Sequence, residues 1–415
     1  MKPPAAAGPD ELTAFLARLT TVLLGVSGEG AEIVDRTVTT AARACGGEAT
    51  VLLVPDAAVL TVRTTGGERT TTVRAFPEVF RLDRVVAVKA LVADLTAGRV
   101  GLSGAARRLD RIEASPAPYP WPLKLLGIVL FSLGFAPLMQ PTWYEIGTTG
   151  VLAAIAAGLA VAADRLPRLA RVLPLVVSVT VSVVTLVFFA DTPARGGPVL
   201  LMLPALFFFV PGDYLSAAAA ELGAGRLTTG AIRLVYSAFL LVQLYVGVLL
   251  GLYVTDTPAR ALFDVAAEAD LPRWALFLSW IVFTAGTVLA FAVPARLFWP
   301  LLALVYLTVG VQSLVTKLIG ETGGTFVAAA VLAATATLLT RRPDRPPRLV
   351  LLLPGFFTLT VGSLGMRGLS TLAGGHVIAG FRDLLQLVTT VVAIAVGLLL
   401  GATLATRSPH PEPGP

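Results

Sequence analysis

The sequence predicts an α-helical polytopic membrane protein: ten transmembrane helices in two inverted five-helix repeats, preceded by a small α+β domain. Three observations carry this expectation. Of 415 residues, 55% are hydrophobic and only 14% charged, and mean hydropathy is +0.80. A soluble domain carries about 25% charged residues, so much of this surface must face lipid. The charges are also unevenly spread, since residues 1–118 hold 14 of the 32 basic and 13 of the 26 acidic side chains. Finally, the apolar remainder nearly repeats itself.

Residues 1–118 read as a water-soluble domain with net charge near +1. Met1 to Asp10 has no apolar core, so no signal peptide is expected and the domain stays where it is made. Leu12, Phe15, Leu16 and Leu19, then Ile33, Val34, Val38 and Ala41, recur at helical spacing on either side of "GVSGEG", which predicts two helices. The β-rich pieces "ATVLLV", "AVLTVRTT" and "RTTTVRA" follow, with Gly66-Gly67 as a hairpin signal. Segments 78–97 and 103–114 return to helix, the second with Ser103 as N-cap. Glu29, Glu32 and Asp35 are close enough to suggest acid–base chemistry, but no His or metal-ligand spacing accompanies them, and a solvated helix start is the better reading. Cys45 is the single cysteine, so no disulfide framework is expected, and it reads as a small buried group. No nucleotide loop, catalytic triad or zinc pattern is visible; neither enzyme activity, cofactor, metal nor nucleic-acid partner is expected. "SPAPYPWP" is a stiff linker into the membrane.

Apolar stretches long enough to cross a hydrocarbon core fall at about 122–140, 145–163, 171–190, 198–219, 229–254, 272–293, 298–318, 323–340, 348–366 and 378–405. Trp121, Trp143, Trp274 and Trp299 sit at span ends, where an amphipathic ring is comfortable. Arg165, Arg168 and Arg171 in loop 2–3, and Arg341, Arg342, Arg345 and Arg348 in loop 8–9, place those loops inside. Loop 5–6, with Asp256, Asp264, Glu268 and Asp270 against Arg260 and Arg273, fits the outside. Both termini are then cytoplasmic, in a bacterial inner (plasma) membrane. The expected units are residues 1–118, a first membrane half at 119–260, a second at 261–406, and a disordered tail at 407–415.

Each half places Pro-Gly inside an apolar span, Pro211-Gly212 and Pro354-Gly355. Small residues follow, then Gly230 and Arg233 in one half and Gly380 and Arg382 in the other, and finally a helix ending in Gly251 or Gly401. Five spans per half is an odd number, so the second half is inverted. Proline breaks the helical ladder and the following glycine permits unusual backbone. Freed backbone at membrane depth is tolerable only when buried in protein or lining a wet cavity, and paired broken helices in inverted halves point to a transporter's binding site. Ionisable groups nearby are candidates by default. Asp213, Arg233, Arg382 and Asp383 supply both signs that a zwitterion needs, and Asp213 is also a candidate for proton coupling. Glu221, Lys317, Glu321 and Arg367 are further groups, and snorkelling is the bland alternative for the arginines.

The order of parts resembles the threonine/serine exporter family of bacteria and fungi. The likeness rests on "GVSGEGAEIVDRTVTTAARACGG", "ATVLLVPDAAVLTVRTTGGERTTTVR", "GLSGAARRLDRIEASPAPYPWP", "VPGDYLSAAAAELGAGRLTTGAIRL" and "LLLPGFFTLTVGSLGMRGL", and covers residues 10–405. It implies a ten-span carrier that exports threonine, serine or similar small molecules, driven by the proton gradient. Relatives divided between two chains handle dicarboxylates such as succinate, which makes a small anion the alternative substrate. A membrane-anchored enzyme or sensor is a third reading. The partners expected are a small zwitterionic or anionic substrate, protons and the lipid bilayer; no oligomeric state is read from the sequence.

Overall fold

The computed structural model describes residues 9–25, 30–54, 57–75, 81–140, 142–189, 197–258, 262, 271–341, 345–359 and 377–406. Helices α1 (Pro9–Gly25) and α2 (Ala31–Ala44) occupy the two amphipathic segments. Leu12, Leu16 and Leu19 of α1 and Val34, Val38 and Ala41 of α2 are buried along one stripe of each helix, as their spacing requires. Strands β1 (Glu48–Val54), β2 (Ala57–Thr64) and β3 (Gly67–Arg74) form an antiparallel meander. Thr64 pairs with Gly67, so Thr65 and Gly66 make the hairpin turn, one position earlier than expected. Ala58, Leu60 and Val62 of β2 face the helices. With α3 (Leu82–Thr96) and α4 (Leu102–Ala114) these elements share one core. Ser103 is not the N-cap: Gly101 takes that position, because α4 begins at Leu102, which packs against the core. Glu32 pairs with Arg36 one turn on, at the exposed start of α2; Glu29 lies outside the described residues.

The membrane part comprises α5 (Trp121–Phe135), α6 (Trp143–Ala163), α7 (Pro167–Ala170), α8 (Leu173–Phe188), α9 (Pro198–Leu206), α10 (Gly212–Gly223), α11 (Leu227–Val254), α12 (Arg273–Ala290), α13 (Phe298–Leu339), α14 (Arg348–Thr358) and α15 (Val377–Ala405). Ten uniform spans are not observed. Among the described residues six helical stretches are long and apolar enough to cross a membrane, by length and composition, while α8, Pro198–Phe209 and α14 are shorter apolar helices. Large side chains such as Val235, Phe239, Phe277 and Tyr253 stand exposed on the long helices, as lipid contact requires. The chain is a multi-pass membrane protein. Helix α13 has 42 residues, about 63 Å of helix and twice a hydrocarbon core. Gly320 breaks it at φ 83°, a backbone region open to glycine. The two arms fold back on each other, with Gln312 Nε2 donating to Thr325 Oγ1 at 3.1 Å. A methyl on Gly324 would stand 2.9 Å from the Thr316 nitrogen.

Glycines set how the helices meet. Helices α5 and α12 cross antiparallel through a reciprocal contact, Gly134 on Phe283 and Gly286 on Phe131. Gly247 and Gly251 of α11 lie on Ser178 and Ser182 of α8. Gly397 and Gly401 of α15 lie in the same manner on Phe326 and Ala330 of α13. These glycines recur 150 positions apart.

The N-terminal unit caps one end of the membrane part. The Leu82 N–H donates to the Phe291 carbonyl at 3.3 Å, and Tyr119 OH to Val293 O at 2.8 Å. Lys89 Nζ donates to the carbonyls of Thr340 and Pro346 at 3.3 and 3.2 Å. Lys124 pairs with Asp164 at 2.6 Å, and Arg341 bonds the Ala405 carbonyl. The turns after α6, α12 and α13 and the end of α15 therefore share the end that carries the N-terminal unit. Trp143 and Trp274, whose rings are 5.7 Å apart, mark the opposite end.

Candidate functional site

Among the described residues, the stretch expected as span four departs clearly from a regular helix. Helix α9 passes into a 3-10 turn at Phe207–Phe209, Val210 is extended, and Pro211 is the N-cap of α10. Proline cannot donate into the preceding ladder, so two half-helices meet here. Pro211 and Gly212 are buried, and a methyl on Gly212 would stand 2.6 Å from the Phe357 ring. Asp213 is the second residue of α10; its side chain lies outside the described set.

Pro354-Gly355 behaves differently. Helix α14 runs through the pair to Thr358, so this dipeptide does not break a span. Gly355 instead admits close packing, since a methyl there would meet Leu332 Cδ1 at 2.7 Å and Thr308 Oγ1 at 3.0 Å. The structural partner of Pro354 is Pro204: each is the seventh residue of its helix and 150 positions from the other. The residues 150 positions beyond Pro211-Gly212, Val361 and Gly362, lie outside the described residues, as does Arg367. By the same spacing the partner of Arg233 is Asp383 and not Arg382. Arg233 and Asp383 are 5% and 8% exposed, whereas Arg382 is exposed.

The structure brings Pro211, Gly212 and the Pro354-Gly355 helix together through Phe357. Around them lies an aromatic cluster in which Phe207 is 5.7 Å and Phe131 5.2 Å, centroid to centroid, from Phe357. Lys317, on an exposed face of α13, takes no part. Glu321 accepts from Gln386 Nε2 at 2.7 Å on an exposed face.

Sequence reasoning named Glu221 only as a further ionisable group, and the structure gives its carboxylate two partners. It sits near the end of α10, 3% exposed. Gly225, at φ 77°, turns the chain into α11, and Gly230 lies so close that a methyl would be 3.0 Å from the Leu222 nitrogen. This tight hairpin sets Arg233 against Glu221, with Nε 3.3 Å from Oε2. The contact is ionic and not an aligned hydrogen bond. The other oxygen, Oε1, accepts the Ala31 N–H at 2.9 Å. Ala31 opens α2 of the N-terminal unit, whose own N-cap, Gly30, offers no side-chain bond. A membrane carboxylate thus caps a helix 190 residues earlier in the chain and meets its positive dipole end.

Beside this contact opens a cavity of about 880 Å³ between the N-terminal unit and the membrane helices. Its walls include Glu32, Arg36 and Lys89 from one side and Glu221, Arg226 and Arg348 from the other, with hydroxyls of Thr37, Thr96, Thr337 and Thr403. Side chains of both charge signs and several threonines therefore line one half-open volume, of a size suited to a small molecule.

The profile of the family described as "putative threonine/serine exporter" matches residues 14–255, from the N-terminal unit through α11 and including Glu221 and Arg233. A threonine/serine exporter of Corynebacterium glutamicum is 23% identical over 363 residues, 83% of this chain and 73% of the relative. No solved structure matches. With more than half of its length matched, and with apolar helices behind a small sheet-bearing unit, the chain belongs to the threonine/serine exporter family.

Proposed function

We propose that this protein exports small hydroxylated amino acids, threonine and serine, across a bacterial inner membrane by proton-coupled antiport. Its two membrane halves, 119–260 and 261–406, act as inverted repeats that alternate access to one site. The observation that carries this reading is the cavity along the second half of α10, where carboxylates, cations and threonines line a common volume. A zwitterion needs both signs, and its hydroxyl finds partners among the threonines. The reciprocal α5–α12 crossing and the two matching glycine contacts support the repeat. The shared end of the basic loops and the N-terminal unit supports cytoplasmic termini. Pro211, Gly212, Asp213, Arg233, Pro354, Gly355 and Asp383 line or shape the path in this reading, with Asp213 the coupling carboxylate and Arg382 a headgroup contact.

One observation favours a second substrate class. The cavity wall holds Arg36, Lys89, Arg226 and Arg348 against Glu32 and Glu221, and an excess of cations suits a small dicarboxylate such as succinate. Proteoliposomes loaded with labelled threonine, serine or succinate and given a pH gradient separate the readings. Gradient-dependent efflux of threonine and serine, lost in Asp213→Asn, is the expected result. Succinate efflux alone, abolished by Arg233→Gln, establishes the second reading, and efflux of none of the three overturns both.

A further inference from the structure

We propose that Glu221 is the latch of an inner gate, and that the movable leaf of this gate is helix α2 of the N-terminal unit. The inference rests on the transport reading for its purpose but not for its test. Three observations carry it. First, among the described residues α2 has no side-chain cap of its own: Gly30 has no side chain, and the first helical N–H is satisfied by Glu221 Oε1 at 2.9 Å. A helix start leaves its first N–H groups without intrahelical partners, so α2 is complete only while docked. Second, Glu221 is held from behind by Arg233, the two side chains being 4% and 6% exposed. A buried carboxylate is tolerable only with such partners, which fixes the latch in one position. Third, α2 and α3 form one wall of the cavity, and α10, α14 and α15 form the other. The volume is half open with α2 docked, and undocking α2 removes that wall and widens access from the side on which the N-terminal unit lies.

The latch also has a mechanical link to the broken span. Glu221 stands on α10, the half-helix that starts at the Pro211 break, so rocking of α10 moves the carboxylate away from Ala31. Freed N–H groups of α2 then meet water, which replaces the lost bond. The docked and undocked states are thereby closer in energy than the loss of a bond into a dry interface would leave them. A gate built this way opens when α10 moves and closes when the carboxylate returns.

The test uses the full chain in proteoliposomes, with Cys45→Ala and a reporter at Ala217→Cys. Ala217 lines the cavity one turn before Glu221 and is 6% exposed. A membrane-impermeant maleimide reports access. Glu221→Ala is expected to raise the labelling rate at least fivefold. Glu221→Gln keeps an oxygen for the Ala31 N–H but loses the charge facing Arg233, and is expected to fall between. Amide exchange at residues 31–33, read by mass spectrometry, rises in the same order and covers the case in which Glu221→Ala fails to fold. Rates within twofold of the parent for both variants overturn the proposal. So does an equal rise at Ala156→Cys, buried in α6, because that would be general loosening. Failure of threonine efflux in the parent would overturn the substrate reading and leave the labelling result standing.

Discussion

The α5–α12 crossing makes a sharp prediction for Gly286→Ala. An added methyl would stand 2.6 Å from Phe131 Cα, and closer still to the Phe131 nitrogen. Carbon atoms pack at about 3.5–4.0 Å, so the helices must part by about 1 Å. The obstacle is backbone, which cannot swing aside as a side-chain tip would. Overpacking costs about 1–3 kcal/mol, and the rigid partner places this site at about 3. Replacing glycine within a helix returns about 1 kcal/mol of propensity, which leaves a net loss of about 2. Gly158→Ala in α6 is the control, since nothing lies within 4 Å of its new methyl. It keeps the propensity gain alone, so the two variants should differ by about 3 kcal/mol. Thermal unfolding of purified protein in detergent, followed by tryptophan fluorescence, should show Gly286→Ala melting about 2 °C below the parent and about 3 °C below Gly158→Ala. Gly134→Ala, whose methyl would stand 2.6 Å from Phe283 Cβ, should match it. Equal midpoints for Gly286→Ala and Gly158→Ala would refute the crossing.

The N-terminal unit yields further expectations. Burial raises the Cys45 thiol pKa, so maleimide labelling of native protein should be slow near neutrality and should accelerate with pH, as mass spectrometry of timed samples would show. The Arg108 and Arg99 guanidiniums hold the Asp94 carboxyl below its usual range. Because the folded value lies below the unfolded one, the stabilisation is present above about pH 4 and is lost as pH falls through the lowered value. The melting difference between parent and Asp94→Asn should then be constant near pH 7 and shrink toward pH 3. Arg382→Gln should leave transport near the parent rate, since the side chain is exposed, whereas Asp383→Asn, at a buried position, should reduce it; equal effects would contradict the assignment.

Local signals told most of the architecture. Leu12, Leu16 and Leu19 announce a helix because 3.6-residue spacing is a property of the segment itself, and the β-branched runs around Gly66 announce a hairpin for the same reason. The break at Pro211 was legible because proline acts on its own ladder. Pairing between the halves was not. Two Pro-Gly dipeptides are chemically identical, yet one breaks a span and the other sits inside α14, where Gly355 is small for the sake of Leu332 and Thr308. The better signal was the fixed 150-residue spacing of Gly230, Gly247 and Gly251 with Gly380, Gly397 and Gly401. That spacing pairs Pro204 with Pro354 and exposes the Arg382 match as a neighbour's charge. Glu221 was hidden for another reason. Its partner is the amide of Ala31, 190 residues away, and an amide leaves no mark in a sequence; the one hint was a glycine at the uncapped start of an amphipathic helix.

The halves share their glycines but not their charges, since at the common spacing Arg233 falls opposite Asp383. Helix contacts must repeat for glycines at a fixed spacing to pack alike, while a charge at the same spacing can meet different neighbours. For Arg233 that neighbour is Glu221, and the contact can be tested by a double-mutant cycle. Arg233→Gln leaves a carboxylate that is almost wholly buried and has lost its cation, a loss of about 3–5 kcal/mol. Glu221→Gln removes the charge that faces the guanidinium at 3.3 Å. The double variant removes both charges and keeps an oxygen for the Ala31 N–H, so it should be more stable than either single variant. Melting of the four proteins closes the cycle. Additive losses would show that the 3.3 Å contact carries no coupling and that each charge is satisfied elsewhere.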